Sequence, residues 1–475
     1  MNKFTQNPRP GAGVLPYHGV MSKTKAKNTL ALRKAKGTES SSKSRINTRH
    51  GSHTCSAQQL GGNKHSDKCG STGGTSSAFN TQRSTSCDVI VVGAGAAGLA
   101  CAITAAQHGR TVTVLEAGDP GHSIRVTGDG RCNIANTNTA AHVYRNTAFV
   151  EAAFSSCTPE EPLRFLERCG IVMRAEAEGR LYPLANKASS VVEALLLAAN
   201  RAGVSIQSSV TVEAVQRSGS GLTVSAHRGD KPILYRAQAV VLCCGGAIEK
   251  ISLPTEIACI PTSPLLGPLA CQAVPLRGLD KVRAKCAVTC EGVREEGEVT
   301  FRTYGVSGIA AFNVSRVAHP GSILSIDFLP AIPAESALSW AQERSRALGV
   351  CTWREWCTGA FLPLIARALL THARISADAT VEEQSLQTFM RVAKSFDLIV
   401  KGIGDVSRCQ VTRGGIEVSM LNPTTMETPV THVYACGEAL DVDAPCGGYN
   451  LHWAWTSGLI AGRALANCPS AKEVV

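Results

Sequence analysis

A continuous apolar run near position 90, followed by a segment of small residues, is the clearest pattern in the chain. Residues 88–92 read DVIVV, a β-branched run typical of a strand that is buried on both faces of a parallel sheet. A segment of small apolar residues with helical character follows, and residues 111–115 form a second apolar run. This order of strand, helix and strand predicts a βαβ unit.

The remaining pattern divides the chain into several parts. Short strands are predicted at residues 204–206, 210–215, 222–226, 233–235, 239–244 and 431–436, and helices at residues 162–170, 189–202 and 447–466. Residues 276–330 alternate in β fashion, which predicts a small antiparallel sheet or barrel. Residues 334–395 are helical in pattern, with Trp340, Trp353 and Trp356 as core residues. The last strand and helix return to the first domain, so that domain is predicted to be discontinuous.

A glycine-rich turn joins the first strand to its helix and carries the motif GxGxxG. Glycine permits the tight turn, the close approach of the backbone to a pyrophosphate, and the close packing of helix on strand. An acid at the end of the second strand suits a ribose 2′-hydroxyl and repels a 2′-phosphate, which favours FAD or NAD over NADP. The predicted cofactor contacts here are Gly93, Gly95, Ala96, Ala97, Gly98 and Glu116.

The net charge of +11 is confined to one end of the chain. Residues 1–86 hold 14 Lys and Arg against Glu39 and Asp67, so the remainder sums to −1. This basic, Ser-rich segment lacks apolar periodicity and is predicted to be a disordered tail. An organellar transit peptide and a true start at Met21 or later both stay open. The neutral remainder predicts no nucleic-acid partner.

The 19 cysteines form no CxxC pair and show no metal-ligand spacing. Together with the lack of an export signal, this predicts reduced thiols, a cytoplasmic location and no metal site. No apolar run reaches the length of a membrane-spanning helix, so no membrane partner is expected.

Several longer motifs resemble the BaiN-like flavoproteins, also called aminoacetone oxidase family FAD-binding enzymes. They are GAGAAG, GDGRCNIAN, GRLYPLANKASSVVEALL, GEVTFRTYGVSG, CQVTRGGIEV and YACGEALDVDAPCGGYNLHWAWTSG, spread over about residues 87–466. The resemblance implies an α/β fold with a Rossmann-like FAD-binding domain in two pieces (87–255 and 396–475), an inserted small β-barrel domain (256–333) and an inserted helical domain (334–395). It also implies that Arg131, Cys132 and Asn133 line the cofactor.

The last of these motifs makes chemical sense as a flavin site. A glycine–acid pair at a strand end can hold the ribityl and pyrophosphate portion, and a glycine-rich helix start can direct N–H groups at the flavin N1/O2 edge. That edge becomes anionic on reduction, so the helix start is expected to stabilise reduced FAD. The predicted contacts are Gly437, Glu438, Asp441, Gly447, Gly448, Tyr449 and Asn450; Tyr304 is a further possible contact with the flavin face.

Two segments depart from the family pattern. Gly121-His122-Ser123 stands where the family has Gly-Arg-Lys, and the family's glycine-rich segment after Gly246 is shortened. These departures keep open a degenerate flavin-binding paralogue without turnover.

The leading hypothesis is an FAD-dependent oxidoreductase that transfers hydride between NAD(P)H, flavin and a small organic substrate, such as a conjugated or amino ketone. The chain has no second GxGxxG, so NAD(P)H is expected to visit the flavin only transiently. A tRNA-modifying flavoprotein is the other enzyme alternative, and the neutral charge beyond residue 86 speaks against it. The sequence assigns no catalytic residue.

Overall fold

The computed structural model describes residues 85–219 and 221–468. The predicted tail, residues 1–86, lies outside this range except for Thr85 and Ser86, which begin the first strand. The alternative start at Met21 lies outside it as well, as do the last residues of the 396–475 segment.

The described residues form helices and strands in mixed order. The helices are α1 (Ala96–Gln107), α2 (His122–Arg125), α3 (Thr147–Ser156), α4 (Glu160–Arg168), α5 (Ala188–Arg201), α6 (Ile309–Val314), α7 (Ala337–Leu348), α8 (Trp353–Cys357), α9 (Pro363–Ala373), α10 (Glu383–Lys394) and α11 (Tyr449–Ala464). The strands are β1 (Thr85–Val92), β2 (Val112–Leu115), β3 (Ala135–Asn136), β4 (Met173–Ala175), β5 (Arg180–Pro183), β6 (Ser205–Gln207), β7 (Thr211–Ser218), β8 (Gly221–Arg228), β9 (Lys231–Leu242), β10 (Cys259–Leu265), β11 (Leu269–Cys271), β12 (Arg283–Cys290), β13 (Val293–Arg302), β14 (Gly305–Ser307), β15 (Ile323–Asp327), β16 (Phe396–Ile403), β17 (Val411–Ile416) and β18 (Val433–Ala435). In the part of the chain that these elements cover, no helix combines the length and apolarity that crossing a bilayer requires.

The main sheet confirms the predicted Rossmann-like core. Its order is β6-β2-β1-β9-β8-β7, and β18 also pairs with β9. The pairs β6–β2, β2–β1, β1–β9 and β9–β18 are parallel, whereas β7 and β8 add an antiparallel extension. The separate strands expected at residues 233–235 and 239–244 are one continuous strand, β9, because its first half pairs with β8 and its second half with β18.

Helices α1 and α11 pack closely against one another beside this sheet. A Cβ added at Gly458 would lie 2.5 Å from the carbonyl oxygen of Ala97, and one at Gly462 would lie 2.8 Å from that of Cys101. Glycine therefore brings the first helix and the last into direct backbone contact, which joins the two pieces of the domain.

The inserted region contains a closed barrel with strand order β11-β14-β13-β12-β15-β16. Its last strand, β16, follows the inserted helices in sequence, so the barrel includes a strand that the sequence assigned to the second piece of the FAD-binding domain. Conversely, β10 was expected in the barrel domain but pairs with β17 in a separate two-stranded ribbon. Both differences arise because strand membership depends on long-range hydrogen bonds that local alternation does not encode.

The barrel and the inserted helices share one apolar core. Trp353 and Trp356 are fully buried in it with Phe389, and Trp340 packs against them partly buried. The insert is therefore a single packed unit rather than two independent domains.

Candidate functional site

A cleft of about 540 Å³ lies at the carboxyl ends of the parallel strands of the main sheet. This is where ligands bind in open α/β sheets. The predicted residues that line it are Gly93, Gly95, Ala96, Ala97, Glu116, Gly437, Glu438 and Asn450. The cleft thus brings the two predicted cofactor segments together although they are more than 300 residues apart in sequence.

The three glycines of the turn between β1 and α1 differ in how much space a side chain would find. Gly93 has φ +102°, and an added Cβ would lie 2.6 Å from the Cys243 carbonyl oxygen. At Gly98 an added Cβ would lie 1.9 Å from the Gly93 carbonyl oxygen. At Gly95 it would meet only Ser123 Oγ, at 3.1 Å. Gly93 and Gly98 are therefore required by the fold itself, whereas Gly95 leaves room on the cleft side.

Glu116 stands at the end of β2 and is held by backbone N–H groups. Its Oε2 accepts a hydrogen bond from Ala94 N at 2.7 Å, and its Oε1 accepts one from Gly118 N at 2.8 Å. These bonds fix an acidic group at the wall of the cleft, in the place where such a fold binds a ribose.

The second glycine–acid pair faces the same cleft from β18. Gly437 has φ +66° and donates its N–H to Ser457 Oγ at 2.9 Å, which anchors the turn on α11. Glu438 Oε1 accepts a hydrogen bond from Thr412 N at 3.1 Å. Burial raises the pKa of Glu438 above its usual range, although the hydrogen bonds from Thr412 offset part of this effect.

The start of α11 contributes Asn450 and Leu451 to the lining of the cleft. Gly448 caps the helix with φ +92° and, as a glycine, offers no side chain to cap the first N–H groups. Asn450 braces the preceding loop, since its Oδ1 accepts from Ala444 N at 2.9 Å and its Nδ2 donates to the Ala444 carbonyl at 2.8 Å. Gly447, Gly448 and Tyr449 do not line the cleft, and the Tyr449 carbonyl accepts a hydrogen bond from the Tyr144 hydroxyl.

Two acids in the loop before α11 have structural partners instead of facing the cleft. Asp441 is buried and accepts hydrogen bonds from Arg145 Nε and Gly414 N, both at 3.0 Å. Asp443, which the sequence did not single out, is 1% exposed and pairs with Arg316 and Arg413 at 2.9 to 3.0 Å. Burial alone would raise the pKa of Asp443, but the two guanidinium groups outweigh it and lower the pKa below its usual value.

The loop carrying Arg131, Cys132 and Asn133 lies outside the lining of the cleft. Arg131 stacks on Tyr182 with its guanidinium carbon 4.2 Å from the ring centre. Cys132 is fully buried, and burial raises the pKa of its thiol to about 11. The Asn133 Oδ1 atom is buried without a hydrogen-bond partner among the described residues and lies 2.7 Å from the Cβ position of Gly448. This loop therefore approaches the start of α11 from the side.

Tyr304, which the sequence names as a further contact, is not part of the cleft lining, and neither is Cys446 of the loop before α11. The Tyr304 ring packs against Gly404 on the barrel, and Cys446 is half-buried against the small cluster of Leu265, Leu266 and Val411. Burial raises the pKa of the Cys446 thiol to about 12, so this cysteine is protonated at neutral pH.

Sequence reasoning missed several lining residues. They are His122, Ser123, Thr127, Val210, Thr211, Val212, Lys250, Ile251, Gln410 and Val411. Lys250 ends the 3₁₀ turn that follows β9, where the adjacent glycines Gly245 and Gly246 were the available signal. His122 and Ser123 lie where the chain departs from the family's Gly-Arg-Lys, and Gln410 and Val411 lie in the motif CQVTRGGIEV, so a signal was available there as well. Thr127 and residues 210–212 lie outside the motifs, and only the folded structure brings them to the site.

The cleft fits an FAD molecule by its own features. Beside Gly95 the neighbour is the side-chain hydroxyl of Ser123, the first turn of α1 carries no acidic side chain, and the α11 start reaches the lining through Asn450 and Leu451. Helix starts of this kind bind anionic groups. Among residues 85–219 and 221–468, no cluster of three or more His, Cys, Asp or Glu is arranged to hold a metal ion.

Comparisons with known proteins agree with this geometry. A family model described as the HI0933-like protein Rossmann domain matches residues 87–464. The 3-dehydro-bile acid delta(4,6)-reductase of Clostridium scindens is 30% identical over 410 residues, covering 80% of this chain and 99% of that protein. The ribosomal RNA dihydrouridine synthase of Escherichia coli is 26% identical over 392 residues, covering 78% of this chain and 96% of that protein.

Similar solved structures are more distant in sequence. The 3-ketosteroid-delta4-(5alpha)-dehydrogenase of Rhodococcus jostii is 15% identical with a TM-score of 0.40, covering 82% of this chain and 99% of that chain.

Proposed function

The chain belongs to the HI0933-like family of FAD-dependent oxidoreductases, and from that premise we propose that it reduces a carbon–carbon double bond conjugated to a carbonyl group. The names of both relatives describe the saturation of a carbon–carbon double bond. The observation that carries the proposal is the single cleft that joins the glycine turn of β1 and α1 to the start of α11.

In this proposal different residues of the cleft bind different parts of FAD. Gly95, Ala96 and Ala97 leave room for the pyrophosphate at the start of α1, and Glu116 binds the ribose of the adenosine. Asn450 and Leu451 place the start of α11 beside the reactive ring system. FAD, when bound, supplies hydride transfer to and from its ring.

The protein's own contribution to the reaction is electrostatic. The N–H groups at the start of α11 carry a partial positive charge, which would favour the more negatively charged form of a bound FAD. Cys446 is protonated at neutral pH, so the proposal assigns it no thiolate chemistry. The reductant in this scheme is NAD(P)H, which would approach the ring transiently.

An anaerobic experiment tests the proposal. Purified protein should lose its yellow colour on addition of NADH or NADPH, and a conjugated enone such as a 3-keto-Δ4 steroid should restore it. An isolated alkene without the carbonyl should leave it bleached, because only conjugation lets the carbonyl oxygen take up the developing charge. A flavoprotein that NAD(P)H reduces but no enone reoxidises would contradict the proposed reaction.

The uracil ring of RNA is a second candidate substrate. Its support is that ribosomal RNA dihydrouridine synthases of two species, Escherichia coli and Haemophilus influenzae, each match over 96% of their length. The residues after position 86 sum to a net charge of −1, which is unfavourable for RNA binding. Reoxidation of the bleached protein by ribosomal RNA, but not by the steroid, would favour this candidate.

A further inference from the structure

The loop at residues 443–446 leads directly into the glycine pair before α11, and the barrel holds it from outside the FAD-binding domain. Asn313, on α6, accepts a hydrogen bond at its Oδ1 from Cys446 N at 2.8 Å. The Nδ2 of the same amide donates to Glu295 Oε2 on β13 at 2.9 Å. Glu295 thus fixes which end of the Asn313 amide faces the loop, because a carboxylate only accepts.

The same loop is also braced from within the FAD-binding domain. Asn450 makes two hydrogen bonds to Ala444, at 2.9 Å and 2.8 Å. Between Cys446 and the helix lie only Gly447 and Gly448, with φ +140° and +92°. A displacement of the loop would therefore be passed to the start of α11 through a short glycine link.

A second barrel contact acts on the beginning of the loop. Arg316, two residues beyond α6, donates its Nε to Asp443 Oδ1 at 3.0 Å. Arg413 of β17 donates to both carboxylate oxygens of Asp443, at 2.9 Å and 3.0 Å, and its Nη1 donates to the Arg316 carbonyl at 2.9 Å. Residues 309–316 therefore contact the loop at both of its ends, with Arg316 bound to Asp443 and Asn313 bound to Cys446.

We propose that Asn313, oriented by Glu295, is a positioning residue through which the barrel sets the place of the α11 start beside the flavin. This inference rests on the proposed function, since it assumes that FAD occupies the cleft. The interaction of a helix start with an anion falls off within the first turn, so a small displacement weakens it. The barrel would thereby tune how strongly the protein prefers reduced over oxidised FAD, without touching the flavin.

The test reverses the direction of one hydrogen bond. In Asn313→Asp the loop N–H keeps its acceptor, but two carboxylates then face each other across the former 2.9 Å contact. We expect about a tenfold loss in the preference for reduced FAD, which lowers the two-electron midpoint potential by about 30 mV. Adding Glu295→Gln supplies an amide donor to the new carboxylate and should restore the wild-type potential. Glu295→Gln alone should have little effect, because a glutamine carbonyl can accept from Asn313.

A second amide–carboxylate hydrogen bond, between Gln342 and Glu383, provides a matched control. Gln342 Nε2 donates to Glu383 Oε1 at 2.9 Å between α7 and α10, and neither residue lines the cleft. Gln342→Glu creates the same pair of opposed carboxylates and should leave the potential unchanged. If Asn313→Asp is poorly folded, Asn313→Ser removes both hydrogen bonds without adding charge and should lower the potential in the same direction.

The outcomes distinguish a failure of the proposed function from a failure of the positioning role of Asn313. If the wild-type protein binds no FAD, the proposed function itself fails. If it binds FAD but Asn313→Asp and Asn313→Ser shift the potential no more than Gln342→Glu does, the positioning role is overturned. A shifted potential in Asn313→Asp that the double variant does not restore also contradicts the inference, since it assigns the effect to the Asn313–Glu295 pair.

Discussion

Two glycine-rich segments reach the cleft, residues 93–98 and residues 437–448, and they use glycine differently. At Gly95 φ is −78°, and an added Cβ would meet only the flexible Ser123 hydroxyl. At Gly448 φ is +92°, and an added Cβ would lie 2.3 Å from the Ala135 carbonyl oxygen. In the first segment, Gly95 has a flexible side chain as its neighbour, so the absence of its own side chain leaves room for a ligand. In the second segment, neighbouring protein atoms already fill the space in which a side chain of Gly437, Gly447 or Gly448 would lie.

This difference decides which substitutions can separate cofactor binding from folding. Gly437 and Gly447 also have positive φ and neighbours within 2.9 Å of an added Cβ. A side chain at Gly448 would therefore report backbone strain rather than the flavin potential. The start of α11 is better examined through the side chains that brace it, Asn313 and Asn450.

Gly98→Val should have the largest effect. The new side chain would collide with the Gly93 carbonyl, 1.9 Å from the Cβ position, so α1 could not pack on β1. We expect a loss of more than about 4 kcal/mol in the free energy of unfolding, seen as little soluble protein and no cooperative unfolding by circular dichroism. Gly118→Ala, which makes only an ordinary contact with Glu116 at 3.7 Å, serves as the control. A well-folded Gly98→Val would refute the close helix–strand contact.

Asp443→Asn should cost about 3 kcal/mol, because it leaves Arg316 and Arg413 without their buried counter-charge. Since the two guanidinium groups lower the pKa of Asp443, its ionised form stabilises the fold at neutral pH, and the contribution disappears as the pH falls through the lowered pKa. Urea unfolding at pH 7 measures the loss. Glu298→Gln, which removes the exposed Arg283–Glu298 pair, should change it by less than about 1 kcal/mol. Equal effects of the two variants would mean that Asp443 does not hold the second segment.

Gly95→Val should separate binding from folding. The valine side chain would fill the space beside Ser123, and we expect FAD affinity to fall about a hundredfold or more, or about 2.7 kcal/mol. The free energy of unfolding of the apoprotein should change by only about 1 kcal/mol, because φ at this helix cap suits any residue. Fluorescence titration of apoprotein with FAD measures the affinity. Retention of wild-type affinity would place the pyrophosphate away from this turn.

Glu438→Gln should have the smallest effect and appear only in the pH dependence of the apoprotein. Burial raises the pKa of Glu438, so the native state holds this proton more tightly than the unfolded chain does. The free energy of unfolding should therefore decline as the pH rises from 4.5 to the raised pKa, and the glutamine variant should lack that part of the decline. Urea unfolding at several pH values checks this, and an unchanged slope in Glu438→Gln would contradict the assigned pKa shift.

The first βαβ unit could be predicted from the sequence because it is local. The whole unit lies within 30 residues, including Gly93, Gly95, Gly98 and Glu116. Each tight contact in its turn requires a glycine, which the sequence shows directly. The predicted second strand, residues 111–115, differs by one residue from the observed Val112–Leu115. Local pattern and tertiary structure agree there.

The parts that could not be predicted depend on distant partners. The strand Phe396–Ile403 closes the barrel only because it pairs with Ile323–Asp327 and Leu269–Cys271 across the inserted helices. Asp441 has the sequence position of a ligand residue, but Gly414 N and Arg145 occupy its carboxylate. Val210 and Thr211 line the cleft without any motif of their own. In each case the deciding contact is made by a segment that the local pattern does not identify.

The FAD content of the purified full-length chain tests the central claim most directly. Protein denatured by heat and analysed by chromatography should release intact FAD at about one molecule per chain, since the glycine turn and the α11 start form one cleft for one dinucleotide. A colourless, folded protein that takes up NAD but never FAD would contradict the assignment of the cleft.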